Sequence, residues 1–366
     1  MAESTPATVA ADGVSARALT RAFERSLTPR GEDRWFSVAG RLVRLRFASD
    51  RMLRLAEAFE HLAVDAPDLA DPGGRADLSV SLWDSRDAAP PPLPGPPPAQ
   101  APKGLRMMWQ EDGLTGCYQP GQDTLNVLEP GTSSAWFWCL DADALPYWEH
   151  AAPLRLLLSW WLAPQGATLV HGASVGRPGG GALVVGRGGS GKSTTALVSL
   201  LAGLSYASDD YVIVERDFRG RGPFVHSVFG SGKLEAAQAQ RFPELGPAIV
   251  NPVREADEKA VFLVNRFAPE AMVRSYPLRA ILVPRITGRP ETTVSAGSAM
   301  ATLAALAPST IFQLPGAPSS ELRAMADIVR AVPTFSLELG TDLPSVPRAI
   351  DELLAGLTPA EADGSR

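Results

Sequence analysis

Residues 180–201 read GGALVVGRGGSGKSTTALVSLL. An apolar run ends in eight residues of which four are glycine, and a second apolar run follows at once. Glycine at that density loses too much backbone entropy to sit inside a helix or strand. The chain must therefore pass from strand through turn to helix, with Gly203 stopping the helix. A strand feeding straight into a helix is half of a βαβ unit and commits this part of the chain to an α/β fold.

The eight residues Gly186-Arg187-Gly188-Gly189-Ser190-Gly191-Lys192-Ser193 also satisfy G-x-x-x-x-G-K-[ST]. Glycines let consecutive backbone N–H groups turn inward around a phosphate. The helix that follows points its free N–H groups and partial positive charge at the same anion. Lys192 is placed to reach the β- and γ-phosphates, and the Ser193 hydroxyl to ligate Mg²⁺. Nucleotide-phosphate contacts are expected from Gly186 through Thr194.

Of 34 basic residues only Lys103, Lys192, Lys233 and Lys259 are lysine. A chain that takes arginine for its generic charge raises the prior that a lysine is needed as a compact ammonium. Lys233, in FGSGKL, imitates a second phosphate loop but lacks the Ser/Thr and the first glycine. It reads as a loop lysine near the site or on the surface. Lys259 precedes AVFLV and could neutralise phosphate or form a surface ion pair. Arg279 and Arg285 flank the strand AILVP and could grip phosphate or acceptor.

Asp209 and Asp210 lie 17 and 18 residues after Lys192 and precede the apolar strand Tyr211–Glu215. Neighbours in extended chain point in opposite directions, so one carboxylate can serve a metal while the other faces an acceptor. His171 lies 21 residues before Lys192, in a strand expected beside the phosphate-loop strand.

VHGASVG, then GRGGSGKST, then SDD resembles the HPr kinase/phosphorylase group, which shares its nucleotide-binding fold with phosphoenolpyruvate carboxykinase. The resemblance covers about 165 to 240 well, thins toward 350 and is absent before about 140. It implies ATP- and Mg²⁺-dependent phosphotransfer to serine. In that pattern Lys192 and Ser193 hold phosphate and metal, Asp209 sits on the metal side, Asp210 is the candidate base and His171 assists it. The first half does not resemble the amino-terminal domain of HPr kinase, and no copy of that kinase's arginine-glycine signature follows the core. The chain looks more like HPr-kinase-related proteins that phosphorylate a serine on a small peptide. A small-molecule kinase, for instance on free serine, and a nucleotide-binding regulator with little turnover are the alternatives.

All eight tryptophans lie at or before Trp161, which suggests two separately built halves. The expected organisation is a disordered 1–14, an α+β domain with a mainly antiparallel sheet over 15–163, an HPr kinase-like ATP-binding domain over 164–357, and a disordered 358–366. Residues 90–102, PPPLPGPPPAQAP, read as an extended connector. Alternation marks strands at Val43–Phe47 and Leu78–Leu82, Asp112-Gly113 marks a hairpin turn, and Trp136–Trp138 marks an aromatic strand. Tyr147–Leu162 reads as one helix, as do Ser320–Val332, with Leu322, Met325, Ile328 and Val329 inward, and Val346–Leu357.

A net charge of −6 argues against nucleic acid as partner. The opening MAESTPATVAADG lacks a signal-peptide pattern, and the most apolar stretch, Leu154–Ala163, is too short to span a bilayer. Two cysteines fit a reducing compartment, so a cytoplasmic protein is expected. A homo-oligomer is compatible with the sequence.

Overall fold

The computed structural model describes residues 7–8, 13–68, 74–86, 88–94, 105–255, 257–314 and 318–357. Of the connector expected over 90–102, residues 95–102 lie outside the described residues, as do the tail 358–366 and 1–14 apart from 7–8 and 13–14. In that first stretch Ala7–Thr8 pairs in parallel with Met107–Met108, and Val14 is buried. Backbone pairing and apolar burial order those residues despite their polar neighbours. By its contacts the chain divides into two compact units, Met1–Trp161 and Leu162–Arg366. Among the described residues no helix is long and apolar enough to cross a membrane.

The first unit is built on a nine-stranded mixed sheet. Its middle is an antiparallel meander of Met107–Glu111, Leu114–Gln119, Thr124–Glu129 and Ser134–Cys139. Ser134–Cys139 then pairs in parallel with Leu78–Asp84, and that strand in parallel with Arg41–Phe47. Asp112 and Gly113 both take positive φ, +50° and +76°, the turn that a two-residue hairpin requires. Alternation puts Trp83, Trp109, Tyr118, Trp136 and Trp138 in one core cluster, and helix Ala16–Ser26 packs Leu19, Ala22 and Phe23 into it. Cys117 and Cys139 are free and buried.

The helix expected over Tyr147–Leu162 is two helices, Tyr147–Ala151 and Arg155–Leu162. Pro153 disfavours helical backbone in the residue before it, and Leu154 adopts φ +58°. Arg155 fills the break, donating to the Ala152 carbonyl at 3.3 Å and pairing with buried Glu149 at 2.7 Å.

The second unit holds an eight-stranded mixed sheet in which two long strands, Ala167–Arg177 and Ser275–Ile286, carry most of the pairing. Residues 167–171 pair antiparallel with Tyr211–Glu215, and residues 172–177 pair with Gly180–Val185 on one side. Gly180–Val185 runs parallel to Ser275–Ile286, which in turn runs parallel to Thr334–Leu339. The period of two along Ala182–Val185 divides two cores. Ala182 and Val184 join helices Lys192–Leu201 and Ser345–Gly356, whereas Leu183 and Val185 join Ala299–Ile311 and Pro318–Ala331. The sheet is thus covered by helices on both faces, and the unit is a layered α/β structure. Leu322, expected to face inward, is 43% exposed; Met325, Ile328 and Val329 form the buried stripe without it.

Gly116 is a place where only hydrogen fits. The Trp109 indole lies across it, and a Cβ there would stand 2.0 Å from the ring. Gly116→Ala is expected to destabilise the first unit by about 1–3 kcal/mol, since the fully packed ring must move. Denaturant unfolding followed by tryptophan fluorescence measures this, and an unchanged midpoint would mean that the ring is free to shift.

Candidate active site

Val185 lies opposite Gly172 in the register, so the chain leaves the sheet at Gly186 level with His171. Residues 187–189 are exposed, and helix Lys192–Leu201 begins without a side-chain cap. Gly189 and Gly191 have φ +77° and +100°, conformations that side chains rarely adopt. A Cβ on Gly191 would also strike Leu339 at 2.5 Å. Lys192 is buried, and its ammonium donates to the carbonyls of Gly186 at 2.7 Å and Arg187 at 3.2 Å. Burial lowers its pKa, and the charges of Asp209 and Asp210 oppose that shift.

The two aspartates lie within a nearly continuous ribbon. Ser208 pairs with Ser174 and Tyr211 with His171, while the Gly172 N–H donates to the Asp210 carbonyl at 3.1 Å. A neighbouring segment is stitched onto this ribbon. Tyr206 donates to the Ser231 carbonyl and Ser208 to the Phe229 carbonyl, each at 3.0 Å. That brings up Lys233, in strand Ser231–Leu234. Its backbone N–H donates to Asp209 Oδ2 at 3.0 Å, and its ammonium stands 2.6 Å from Asp210 Oδ2 as an ion pair.

The two carboxyls therefore have opposite electrostatics. Asp209 is 2% exposed, and burial pushes its carboxyl up to about 6 against the Lys233 N–H and the Ser193 hydroxyl beside it. Its Oδ1 is buried without a hydrogen-bond partner. Burial would raise Asp210 too, but the Lys233 ammonium and then His171 overcome it and hold that carboxyl well below the usual range. Asp210 is ionised well below neutral pH, whereas Asp209 gains its charge only as pH passes about 6.

His171 is buried, with Nε2 3.4 Å from Asp210 Oδ1. Burial lowers its pKa, with Asp210 acting in the opposite sense. Three partners had no signal in the sequence. Thr310 Oγ1 accepts from the His171 backbone N–H at 3.1 Å. Gln313 Nε2 lies 3.3 Å from His171 Nδ1, and Tyr211 donates to Gln313 Oε1 at 2.6 Å. Gln313 is 142 positions from His171 and belongs to no motif. It lies in the turn just after the alanine-rich helix Ala299–Ile311, where no periodic pattern marks it.

The remaining expected residues lie in other settings. Lys259 pairs with Glu235 at 2.8 Å and is 38% exposed, although its charge is felt at Lys192. Arg279 donates to the Gly179 carbonyl at 3.1 and 3.0 Å. It follows Leu278, which pairs with Gly181, so it stands at the end of the sheet opposite the glycine-rich turn. Arg285 stands beyond Leu282, which pairs with Val184, at the same end as the turn, and pairs with Glu338. Of the four additional cations, only Lys233 is brought onto the aspartates.

These features fit a phosphate-bearing ligand with its metal. The glycine turn is open, and Gly188 and Gly189 have nothing within 4 Å of a Cβ position. The Asp209 carboxyl, whose Oδ1 has no hydrogen-bond partner, and the Ser193 hydroxyl that acts on it are hard oxygens, a donor set suited to Mg²⁺.

No family model and no curated protein matches the chain. Among solved structures, the HPr(Ser) kinase/phosphatase from Coxiella burnetii matches at 12% identity and a TM-score of 0.28, covering 50% of this chain and 93% of that one. The likeness is slight.

The raised Asp209 carboxyl has a thermodynamic consequence. Below the unfolded value of 3.8 both states are protonated and the group is neutral to stability. As pH rises from there to about 6 the unfolded chain ionises first, so stability is lost, and above about 6 the loss is complete. Asp209→Asn is therefore expected to stabilise the ligand-free protein by roughly 1–3 kcal/mol at pH 8, with the gain fading toward pH 4. Urea midpoints at pH 5 and 8 test this; a gain equal at both would show that Asp209 is not raised.

Proposed function

We propose that the second unit is an ATP- and Mg²⁺-dependent kinase that phosphorylates a hydroxyl group. The observation that carries this reading is the assembly at one end of the sheet of the glycine turn, Lys192, the unpaired Asp209 oxygen and the Asp210–His171 pair. In this reading the backbone N–H groups of Gly188 to Ser193 and the Lys192 ammonium hold the β- and γ-phosphates. Ser193 and Asp209 hold Mg²⁺, which when bound offsets charge on the phosphate oxygens. Lys192 would leave its carbonyl partners for the stronger, charge-assisted phosphate contact.

Asp210 faces the acceptor. It orients the hydroxyl and receives its proton as the new O–P bond forms and the bond from the γ-phosphorus to the departing diphosphate breaks. Lys233 makes Asp210 a weak base, but a loose phosphoryl-transfer transition state asks little nucleophile activation of it. Lys233 supplies a second cation where charge accumulates. The acceptor we propose is a serine on a peptide or small protein, on the strength of the resemblance of VHGASVG, GRGGSGKST and SDD to the HPr kinase group.

Lys192→Ala is expected to lower turnover by about 10²–10³, the worth of a preorganised cation aimed at transition-state charge. Lys192→Arg should recover little, because a planar fork does not replace a point charge in so tight a turn. The assay is transfer from γ-labelled ATP to a panel of serine peptides and free serine, and near-normal turnover would remove the turn from the mechanism. Asp209→Asn should weaken metal-nucleotide use and recover partly as Mg²⁺ is raised. Asp210→Asn should leave nucleotide affinity intact, lower turnover and gain nothing from Mg²⁺. Identical Mg²⁺ responses would make both carboxylates metal ligands.

A further inference from the structure

The hydrogen-bonded chain from Lys233 to Tyr211 takes its direction from the Asp210 end. The Lys233 ammonium pairs with Asp210 Oδ2 at 2.6 Å, so the other oxygen, Oδ1, accepts, and the facing His171 Nε2 at 3.4 Å carries the proton. A neutral imidazole then has a bare Nδ1, which needs a donor. Gln313 offers its Nε2 at 3.3 Å, and its Oε1 accepts from the Tyr211 hydroxyl at 2.6 Å. Reversing the amide would set two acceptors face to face. The same segment also holds the His171 backbone through Thr310, so the end of helix Ala299–Ile311 grips both the main chain and the ring of this residue.

We infer that Gln313 is a positioning residue: by donating to Nδ1 it keeps His171 neutral in the Nε2–H tautomer, so that the acceptor's proton goes to Asp210 and His171 only orients that carboxylate. The inference rests on the kinase reading for its purpose, though not for its geometry. The charged groups acting on His171 are Asp210, Lys192 and Lys233. Burial disfavours imidazolium, Asp210 favours it, and the two lysines and the Gln313 amide at Nδ1 weigh against it. An imidazolium would need Gln313 to turn its oxygen inward and Tyr211 to accept instead of donate.

The test is ¹⁵N spectroscopy of the full chain labelled at histidine, without nucleotide, at pH 8, with the His171 signals assigned by their absence in His171→Asn. Wild type is expected to show Nε2 protonated and Nδ1 bare but hydrogen-bonded. In Gln313→Leu the Nδ1 signal should move toward that of a free, unbonded nitrogen. In Gln313→Glu a carboxylate faces Nδ1, and both nitrogens should be protonated. A wild-type His171 carrying its proton on Nδ1, or a Gln313→Leu signal identical to wild type, overturns the assignment whether or not Gln313→Glu folds. In the transfer assay Gln313→Leu should lower kcat on the order of tenfold with KM for ATP unchanged; an unchanged kcat overturns the positioning role. The nitrogen pattern is read without ATP, so a failed kinase reading, seen as no transfer by wild type, is distinct from a failed Gln313 assignment.

Discussion

The backbone pairing of Ala167–Arg177 is what the rest of the site depends on. One side of this strand hydrogen-bonds the strand that launches the glycine turn, and the other side bonds the ribbon that carries Asp209 and Asp210. Gly172 lies between Val185 and Asp210, and His171 is the next residue along. Side chains from segments far apart in sequence are thereby held at one level across three strands. Backbone pairing is suited to this task because a slip of one residue would turn every side chain to the other face.

Electrostatics divides the labour that this geometry makes available. Asp209 and Asp210 are adjacent in sequence and both deeply placed, yet burial raises one and an ammonium lowers the other. The asymmetry comes from Lys233, which meets Asp209 with its backbone and Asp210 with its side chain. A single residue thus leaves one carboxylate a free oxygen and neutralises its neighbour. Two like charges at such close range would otherwise compete for one proton.

The first unit follows a different physical plan. Its sheet carries an aromatic face closed by helix Ala16–Ser26, with the indole of Trp109 laid on Gly116. Large rigid side chains supply much buried area for little lost conformational entropy, which suits a modest core of this size.

What the sequence determined by itself is local. The glycine turn between two apolar runs could fold only as strand, turn and helix, since glycine at that density resists both regular structures. The Asp112-Gly113 hairpin was legible because few residues accept positive φ, and the strand alternations because period two is a one-dimensional signal. Pro153, visible in the sequence, breaks a stripe of leucines that reads as one helix. The tertiary structure alone decided which cation meets which carboxylate. Lys233, Lys259, Arg279 and Arg285 read alike as candidates, and strand register sent Arg279 to the far end and Lys233 onto Asp210. Gln313 had no local signature, because a hydrogen bond across 142 residues is specified by the packing of a helix on a sheet and leaves no pattern along the chain.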